Sequence, residues 1–510
     1  MFHILAAHGA EVSGISYETD RMKFIGRGRT TAAPQALSTR ASRGALDDTE
    51  TLSGSQGSVL DPIVAIRCRV TLEAEQSITL DYVSGAAESR AGSMAMVEKY
   101  QDRHLADRVF DLAYTHSGVT LRQINAVESD AALYRRLGCS VIYANATLRA
   151  DAHVLIQNRR GQSGLWGYAI SGDLPIVLLK IASSDNIDLA RQMIQCHAYW
   201  RLKGLKVDLV IWNEDHIGYR QRLQDQIIGL IATGFEAHAI DKPGGIFVRS
   251  AEQISNEDRI LLQTVARAII IDSGGSLLEQ LNRRVLPDKK IARLVPTKSS
   301  LGRSLPSLFN RSELVGEQDQ PPAPNDSTGP TNLLLSNNLG GFSKDGREYI
   351  MTTSAANMTP LPWVNVLANP HFGSVVTESG LAYTWSENAH EFRLTPWSDD
   401  PVGASGGEAI YLRDEDSGLF WSPSPLPARA EQTSDSFYTT RHGFGYSVFE
   451  HNEGGISSEL WVYVDLEESV KFSVLKVRNQ SGKTRRLSAT GYVEWVLGDL
   501  RSKRWLLMRS

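Results

Sequence analysis

The chain has 510 residues, of which 42% are hydrophobic and 22% are charged, and its formal net charge is −5. This length is enough for roughly two to four domains. The weakly acidic balance excludes a general affinity for nucleic acid or an anionic membrane.

Other residue counts narrow the class of protein further. Cys68, Cys139 and Cys196 are odd in number and lack C-x-x-C spacing. This argues against a disulfide framework or a zinc site and favours a reducing compartment, with each cysteine expected to be a small buried hydrophobe. No apolar run reaches the length of about 18 residues that a membrane helix needs, and the short apolar N-terminus lacks the basic start of a signal peptide.

The first part of the chain alternates apolar and polar residues and is expected to be β-structure. Residues 64–72 and 78–82 show this alternation, and residues 73–77 between them read as a hairpin loop. We therefore expect residues 1–97 to form part of a β-sandwich. Residues 98–160 are expected to be a helical linker, because Leu133, Leu137 and Val141 form one apolar stripe at helical spacing.

Residues 161–290 show a different pattern. Mostly apolar strands at 175–181, 207–212, 245–249 and 268–272 alternate with amphipathic helices at 187–203, 219–232 and 256–266. This order predicts a small parallel α/β unit whose sheet is covered on both faces.

Residues 291–330 are rich in Pro and Ser and are expected to be a disordered linker. Residues 331–500 again read as β-structure, with strands at 460–464, 470–478 and 486–495 and a turn at 479–482. The tail at 501–510 breaks the pattern. Seven of the ten tryptophans follow residue 330.

The segment from residue 338 to residue 400 mixes aromatic rings with Asn, Asp, Arg and turn residues. This is the chemistry of sugar recognition, because flat rings cover a pyranose face and planar polar groups bond its hydroxyls. The candidate contacts in this segment are Tyr383, Trp385, Asn388, Arg393 and Trp397. The alternative is that the two tryptophans belong to the core.

This run resembles the β-supersandwich that precedes the catalytic barrel in the phosphorylase region of cyclic β-1,2-glucan synthases. Further segments resemble the same family in the same order: residues 24–29, 59–62, 164–176, 197–204, 407–416 and 492–498. The resemblance implies a multidomain α+β chain in which two supersandwich-like β-sandwich regions flank the helical linker and the parallel α/β unit. Residues 1–97 would be the C-terminal part of a first supersandwich and residues 331–500 the N-terminal part of a second.

The resemblance also implies a function. The chain would be an internal fragment that binds carbohydrate and acts as a scaffold in a glycosyltransferase with a phosphorylase-like region acting on β-1,2-glucan. The resemblance places the transferase domain and the catalytic barrel of the family outside this region, so we expect no catalytic residue in this chain and no turnover by the chain alone. The alternatives are a structural interaction module without sugar binding and a divergent stand-alone phosphorylase.

The implied partners are β-1,2-glucan or its oligosaccharides and the remainder of the synthase, with a homodimer left open and no nucleic acid. The implied location is the cytoplasm for the chain alone and the cytoplasmic face of the inner membrane for the intact enzyme.

Each of the other candidate residues has a structural interpretation as well as a functional one. Phosphorolysis needs a carboxylic acid, and Asp399, Asp400, Glu408 and the 413–416 cluster are present, but all read as turn or strand-edge carboxylates. Upstream, Trp166 and Asp173 are further sugar-binding candidates, although Asp173 precedes its strand and thus lies at the end opposite to the usual ligand site. The glycine-rich pieces and the twelve histidines match no nucleotide or metal motif, so we expect no cofactor and no metal.

Overall fold

A computed structural model describes residues 1–38, 51–59, 61–214, 222–234, 237–283, 333–337, 339–398, 400, 406–429, 437–496 and 498. The chain divides into two compact units, Met1–Ala113 with Asp319–Ser510, and Tyr114–Gln318. The expected linker at 291–330 and the tail at 501–510 lie outside the described residues.

The N-terminal segment contains strands β1 (Phe2–His8), β2 (Val12–Asp20), β3 (Pro62–Leu72) and β4 (Ser77–Gly85), with helices α1 (Arg21–Ile25), α2 (Arg90–Tyr100) and α3 (Arg103–Gln123). The middle segment contains helices α4 (Glu128–Ile142), α5 (Ala152–Gln157), α6 (Ile187–Leu202), α7 (Arg222–Thr233), α8 (Asn256–Val265) and α9 (Leu277–Asn282), with strands β5 (Ile176–Ile181), β6 (Asp208–Asn213), β7 (Ile246–Ser250) and β8 (Ala266–Ile271).

The C-terminal segment is made of strands, which are β9 (Gly340–Phe342), β10 (Glu348–Thr353), β11 (Val364–Ala368), β12 (Phe372–Thr377), β13 (Ala382–Ser386), β14 (Glu408–Asp414), β15 (Phe420–Trp421), β16 (Tyr438–Gly443), β17 (Tyr446–Glu453), β18 (Ile456–Val464), β19 (Val470–Asn479) and β20 (Arg485–Glu494).

The β-rich unit has three antiparallel sheets among the described residues. The first has the order β1-β4-β19-β18-β17-β16-β10-β9, the second β11-β12-β13, and the third β15-β14-β20-β3-β2. Their inner faces share one core, because alternate residues such as Leu80, Val376 and Leu487 are buried in the same cluster.

The N-terminal and C-terminal strands pair with each other in this unit. β4 pairs with β19 from Ser77 opposite Arg478 to Gly85 opposite Val470, and β3 pairs with β20 from Ile63 opposite Glu494 to Leu72 opposite Arg485. The two β-rich regions, which the sequence analysis treated as two separate partial sandwiches, therefore contribute to the same two sheets. The physical reason is that this pairing satisfies strand edges that two incomplete sandwiches would leave open.

The expectation that residues 73–77 form a hairpin loop is wrong, because the strands on either side of them do not pair with each other. β3 lies in the five-stranded sheet and β4 in the eight-stranded sheet, and the 479–482 turn links the same two sheets. The two connections lie side by side, since the buried Asn479 amide donates to the backbone oxygens of Leu72, Glu73 and Lys483 at 2.7–3.1 Å. The chain thus passes from sheet to sheet at a corner that one side chain holds together.

The α/β unit follows its predicted order. Its four strands pair in parallel as β7-β6-β5-β8. Alternate β5 residues point to opposite faces, so Val177 and Leu179 lie in one core cluster and Leu178 in another. The prediction of a parallel sheet covered on both faces is therefore confirmed. Leu137 and Val141 of the predicted α4 stripe are buried in the first of these clusters.

The cysteines follow the prediction in two of three cases. Cys68 and Cys196 are fully buried, and burial raises the pKa of the Cys68 thiol to about 11. Cys139 is exposed on α4, so the expectation that it would be buried is wrong. Its helix packs through the stripe that contains Leu137, and Cys139 falls outside that stripe.

Candidate functional site

The aromatic candidates are positioned by β13, one of the two edge strands of the three-stranded sheet. Tyr383 lies opposite Val375 of β12, and Trp385 lies opposite Gly373. Residues two apart on a strand share a face, so Tyr383 and Trp385 lie together with their ring centroids 5.6 Å apart. Thr384 points the other way and is buried.

Trp385 is the buried member of this group. Its side chain is 9% exposed, and its indole covers Gly373, where any Cβ would clash with the ring. A glycine at this position therefore makes room for the indole. This burial indicates that Trp385 is a core residue, and its ring packs beneath the exposed residues of the candidate site.

Tyr383, Arg393 and Trp397 are half-buried and form the accessible part of the group, here called the aromatic cluster. The rings of Tyr383 and Trp397 lie 5.2 Å apart at an angle of 44°. The Arg393 guanidinium carbon lies 5.3 Å from the centroid of the Tyr383 ring. This combination of two rings and a cation provides apolar faces and hydrogen-bond donors at one place.

Asn388 has a structural task that the sequence did not reveal. Its Oδ1 accepts hydrogen bonds from the backbone N–H groups of His390 and Glu391 at 2.9 and 2.8 Å. Such a turn, stabilised by an Asn side chain, explains an exposed asparagine at this position without a ligand. The residue therefore shapes the loop that leads to Arg393.

Beneath the aromatic cluster, a largely buried ion pair fixes β13 to the other sheets. Lys471 Nζ lies 2.6 Å from Glu408 Oε2, and the hydroxyls of Thr384 and Thr395 both donate to Glu408 Oε1 at 2.7 Å. Burial opposes the ionisation of Glu408, but Lys471 and these hydroxyls hold the pKa of the carboxyl below its ordinary value. The candidate acid Glu408 is therefore an ionised structural group.

The acids of the 413–416 cluster are also ion-paired. Asp414 contacts Arg485 at 2.8 Å, Glu415 contacts Arg67 at 2.7 Å, and Asp416 contacts Arg486 at 2.5 Å. Although burial opposes it, hydrogen bonding from Ser488 and the Arg67 charge lower the pKa of Glu415 to about 2. Asp399 lies outside the described residues.

Trp166 and Asp173 belong to the α/β unit. Trp166 is 64% exposed, and its indole N–H donates to the Ser171 backbone oxygen at 3.3 Å. Asp173 accepts a hydrogen bond from Gln162 Nε2 at 3.0 Å and borders a cavity of about 420 Å³ before β5. Asp173 thus lies at the amino end of its strand, as the sequence indicated.

A larger cavity of about 890 Å³ in the β-rich unit was missed by sequence reasoning. Trp421 and Arg429 line it, and they lie eight residues apart in the sequence. A Trp and an Arg at such a spacing carry no recognisable pattern, and only the closed loop between them brings both to one place.

The described residues contain neither a metal-binding cluster nor a membrane-spanning helix. They contain no group of three His, Cys, Asp or Glu side chains that could hold a metal ion. None of the helices in the same residues is long and apolar enough to cross a membrane.

Comparison with known proteins gives one long match and several shorter ones. The chain is 32% identical over 509 residues to the cyclic beta-(1,2)-glucan synthase NdvB of Rhizobium meliloti (strain 1021), which covers 98% of the chain but 17% of that synthase. It is 32% identical over 163 residues to the N,N'-diacetylchitobiose phosphorylase of Vibrio furnissii, and 30% identical over 166 residues to the solabiose phosphorylase of Paenibacillus borealis. These matches cover 32% and 31% of the chain and 20% of each phosphorylase.

The family model of the glycosyl hydrolase 94 supersandwich domain matches residues 1–103 and 347–506. These are the two segments whose strands share sheets in the β-rich unit. They make up more than half of the chain, which therefore belongs to the glycosyl hydrolase 94 supersandwich domain family.

Proposed function

We propose that this chain is a carbohydrate-binding and scaffolding portion of a synthase acting on β-1,2-glucan. The observation that carries the proposal is the aromatic cluster, in which Tyr383, Arg393 and Trp397 are partly accessible and the Tyr383 ring lies next to both of the others. The long match to a cyclic beta-(1,2)-glucan synthase supports this choice of glucan.

The cluster has the chemistry that a pyranose needs. The face of a sugar ring carries C–H groups that pack on the rings of Tyr383 and Trp397, while its hydroxyls accept hydrogen bonds from Arg393. Within the described residues the Arg393 side chain donates one weak hydrogen bond, from Nε to the backbone oxygen of Ala389 at 3.4 Å. Most of its guanidinium donors are therefore available to a ligand. Trp385 and the Glu408–Lys471 ion pair hold the sheet in place, which reduces the ordering cost of binding.

Under this proposal, other parts of the synthase carry out the catalytic reactions. The chain spans 17% of the length of the matched synthase, so the catalytic barrel and the membrane transferase domain are proposed as partners rather than parts of it. In the intact enzyme we expect this portion at the cytoplasmic face of the membrane, and a homodimer is compatible with the proposal. We expect the chain by itself to release no glucose 1-phosphate from β-1,2-glucan and phosphate.

A fluorescence titration with a β-1,2-glucan oligosaccharide tests the proposal. Bound sugar is expected to shield Trp397 from a soluble quencher such as acrylamide, and Trp397→Phe is expected to remove the protected fraction. The double variant Asn388→Ala with Arg393→Ala is expected to lose glucan affinity. Arg478→Ala is the matched control, because Arg478 is an exposed arginine of the same unit paired with Glu75 at 2.7 Å. Unchanged glucan affinity in the double variant would refute the proposal.

A structural interaction module is the second candidate, and two observations favour it. Trp385 is buried, and the Asn388 side chain is used within its own turn. A module of this kind would show no glucan-dependent change in Trp397 quenching, so the same titration separates the two functions.

A further inference from the structure

The cavity of about 890 Å³ lies beside β14, β15 and the loop that follows β15. Phe420 and Trp421 border it from β15, Asp414 and Asp416 from the end of β14 and its turn, and Arg429 from the far side of the loop. None of the aromatic-cluster residues lines it. It is therefore a second concave site in the β-rich unit.

Two residues that line this cavity each carry a buried hydrogen-bond donor with no acceptor among the described residues. Trp421 is 3% exposed, and its Nε1 group makes no hydrogen bond there. The same holds for the buried Nη2 group of Arg429. A buried donor without an acceptor is destabilising, and more so if it is charged, so two such donors in residues of one cavity wall need an explanation.

The local backbone explains why both residues border the same cavity. The Ser422 N–H donates to the Ala428 backbone oxygen at 2.7 Å, which places these two residues opposite each other. Trp421 immediately precedes Ser422, and Arg429 immediately follows Ala428, so these two residues are also opposite each other. Residues so related on antiparallel strands share a face, and both line the cavity.

The cavity is lined by three cations, Arg429, Arg485 and Lys483, and by the carboxylates of Asp414, Asp416 and Glu453. Arg485 is paired with Asp414 at 2.8 Å, and Asp416 is paired with Arg486 at 2.5 Å. Arg429 makes no ion pair with a described residue, and its guanidinium lies over the Tyr438 ring at 5.6 Å. Burial lowers the pKa of this guanidinium, and the neighbouring Tyr438 opposes that shift.

From these contacts we propose that the cavity binds a small oxyanion, a phosphate or the phosphoryl group of a sugar phosphate, held by Arg429 and Trp421. An indole N–H and a guanidinium only donate, so the ligand that satisfies both must present acceptors. A negative charge also compensates Arg429, and guanidinium–oxyanion hydrogen bonds are among the strong ones. The site is independent of the aromatic cluster and of the glucan proposed there.

The test is the binding of inorganic phosphate to the whole chain, followed by isothermal titration and by ³¹P line broadening. Saturable binding is expected for the wild type. Arg429→Gln is expected to weaken it at least tenfold, and Trp421→Phe severalfold, because phenylalanine keeps the ring and removes the N–H. Arg478→Gln, an exposed arginine of the same unit, is the matched control and is expected to bind like the wild type.

Further measurements distinguish free phosphate from a sugar phosphate as the ligand and test the alternatives to an oxyanion site. Glucose 1-phosphate binding more tightly than phosphate would identify a sugar phosphate as the ligand, and equal binding would identify free phosphate. Glu453→Gln removes a carboxylate from the cavity wall and is expected to tighten phosphate binding. Absence of saturable phosphate binding by the wild type, an unchanged affinity in Arg429→Gln, or equal competition by neutral glucose would overturn the proposal. Arg393→Ala separates this site from the aromatic cluster, because it is expected to leave phosphate binding intact.

Discussion

Lys471 Nζ lies 2.6 Å from Glu408 Oε2, so a largely buried ion pair joins the eight-stranded sheet to the five-stranded sheet. The same ammonium donates to Ser374 Oγ at 2.9 Å, and Thr384 donates to the carboxylate, so the pair also contacts the three-stranded sheet. All three sheets meet at this pair, directly beneath the strand that carries Tyr383.

Removal of one partner of this pair is expected to destabilise the β-rich unit strongly. Lys471→Met leaves Glu408 as a buried charge without its cation, and the cost is about 3–5 kcal/mol of unfolding free energy. Urea unfolding measures the loss. The double variant Lys471→Met with Glu408→Gln is expected to regain a large part of it, and losses that simply add would contradict the pairing.

The corner formed by Asn479 gives a second prediction about stability. Asn479→Ala leaves the Leu72 and Lys483 oxygens without their buried donor, so a loss of at least about 2 kcal/mol is expected in urea unfolding. Asn479→Asp is expected to cost more, because a carboxylate would face these oxygens. The control Asn452→Ala, at an exposed position, is expected to stay within about 0.5 kcal/mol. Equal effects at 479 and 452 would rule out this role.

Three histidines, of which His451 is buried and His3 and His442 are partly buried, predict that stability falls in mild acid. Burial lowers the pKa of His3, His442 and His451 to about 4, below their ordinary value of 6.5. Between these two values the unfolded chain takes up protons that the folded chain does not, so stability is lost as pH falls from 6.5 towards 4. The loss reaches about 3 kcal/mol per histidine at the lower end.

The melting temperature measured from pH 7 to pH 4 checks this dependence. His442→Gln is the informative variant, because glutamine preserves a hydrogen-bonding group near Ser447 Oγ and the Trp363 backbone oxygen but does not titrate. It is expected to flatten the decline. A melting temperature that stays constant down to pH 4.5 in the wild type would exclude the histidine account.

Tyr383 is expected to contribute to glucan affinity through its ring rather than its hydroxyl. Tyr383→Ala removes a stacking surface and leaves Trp397 and Arg393 without the ring that they both contact. Affinity for a β-1,2-glucan oligosaccharide is expected to fall about tenfold, or roughly 1.4 kcal/mol. Tyr383→Phe keeps the ring and is expected to bind within about twofold of the wild type. An equal loss in both variants would assign the contact to the hydroxyl.

The order of elements in the α/β unit could be predicted because each element carries its own signal. Apolar strands such as β5 and the stripe through Leu137 and Val141 show their burial in the local sequence. Strand pairing in the β-rich unit gives no such signal. Alternation in β4 shows which residues face the core but not that Ser77 pairs with Arg478, about four hundred residues away.

The candidate site, like the fold, could be predicted only in part from the sequence. The chemistry of Tyr383, Arg393 and Trp397 is visible in the sequence, and the structure brings them together. The burial of Trp385 depends on its strand partner Gly373, and the role of Asn388 depends on a turn that closes on backbone N–H groups. Trp421 and Arg429 were missed for the same reason, because their proximity is made by the contact between Ser422 and Ala428.

The central claim is that the aromatic cluster binds glucan, and isothermal titration of the whole chain with a β-1,2-glucan oligosaccharide tests it most directly. The account predicts saturable binding by the wild type, a large loss in Arg393→Ala, and unchanged binding in Arg429→Gln. Absence of binding by the wild type, or full binding by Arg393→Ala, would contradict it and leave the cluster as part of a structural module.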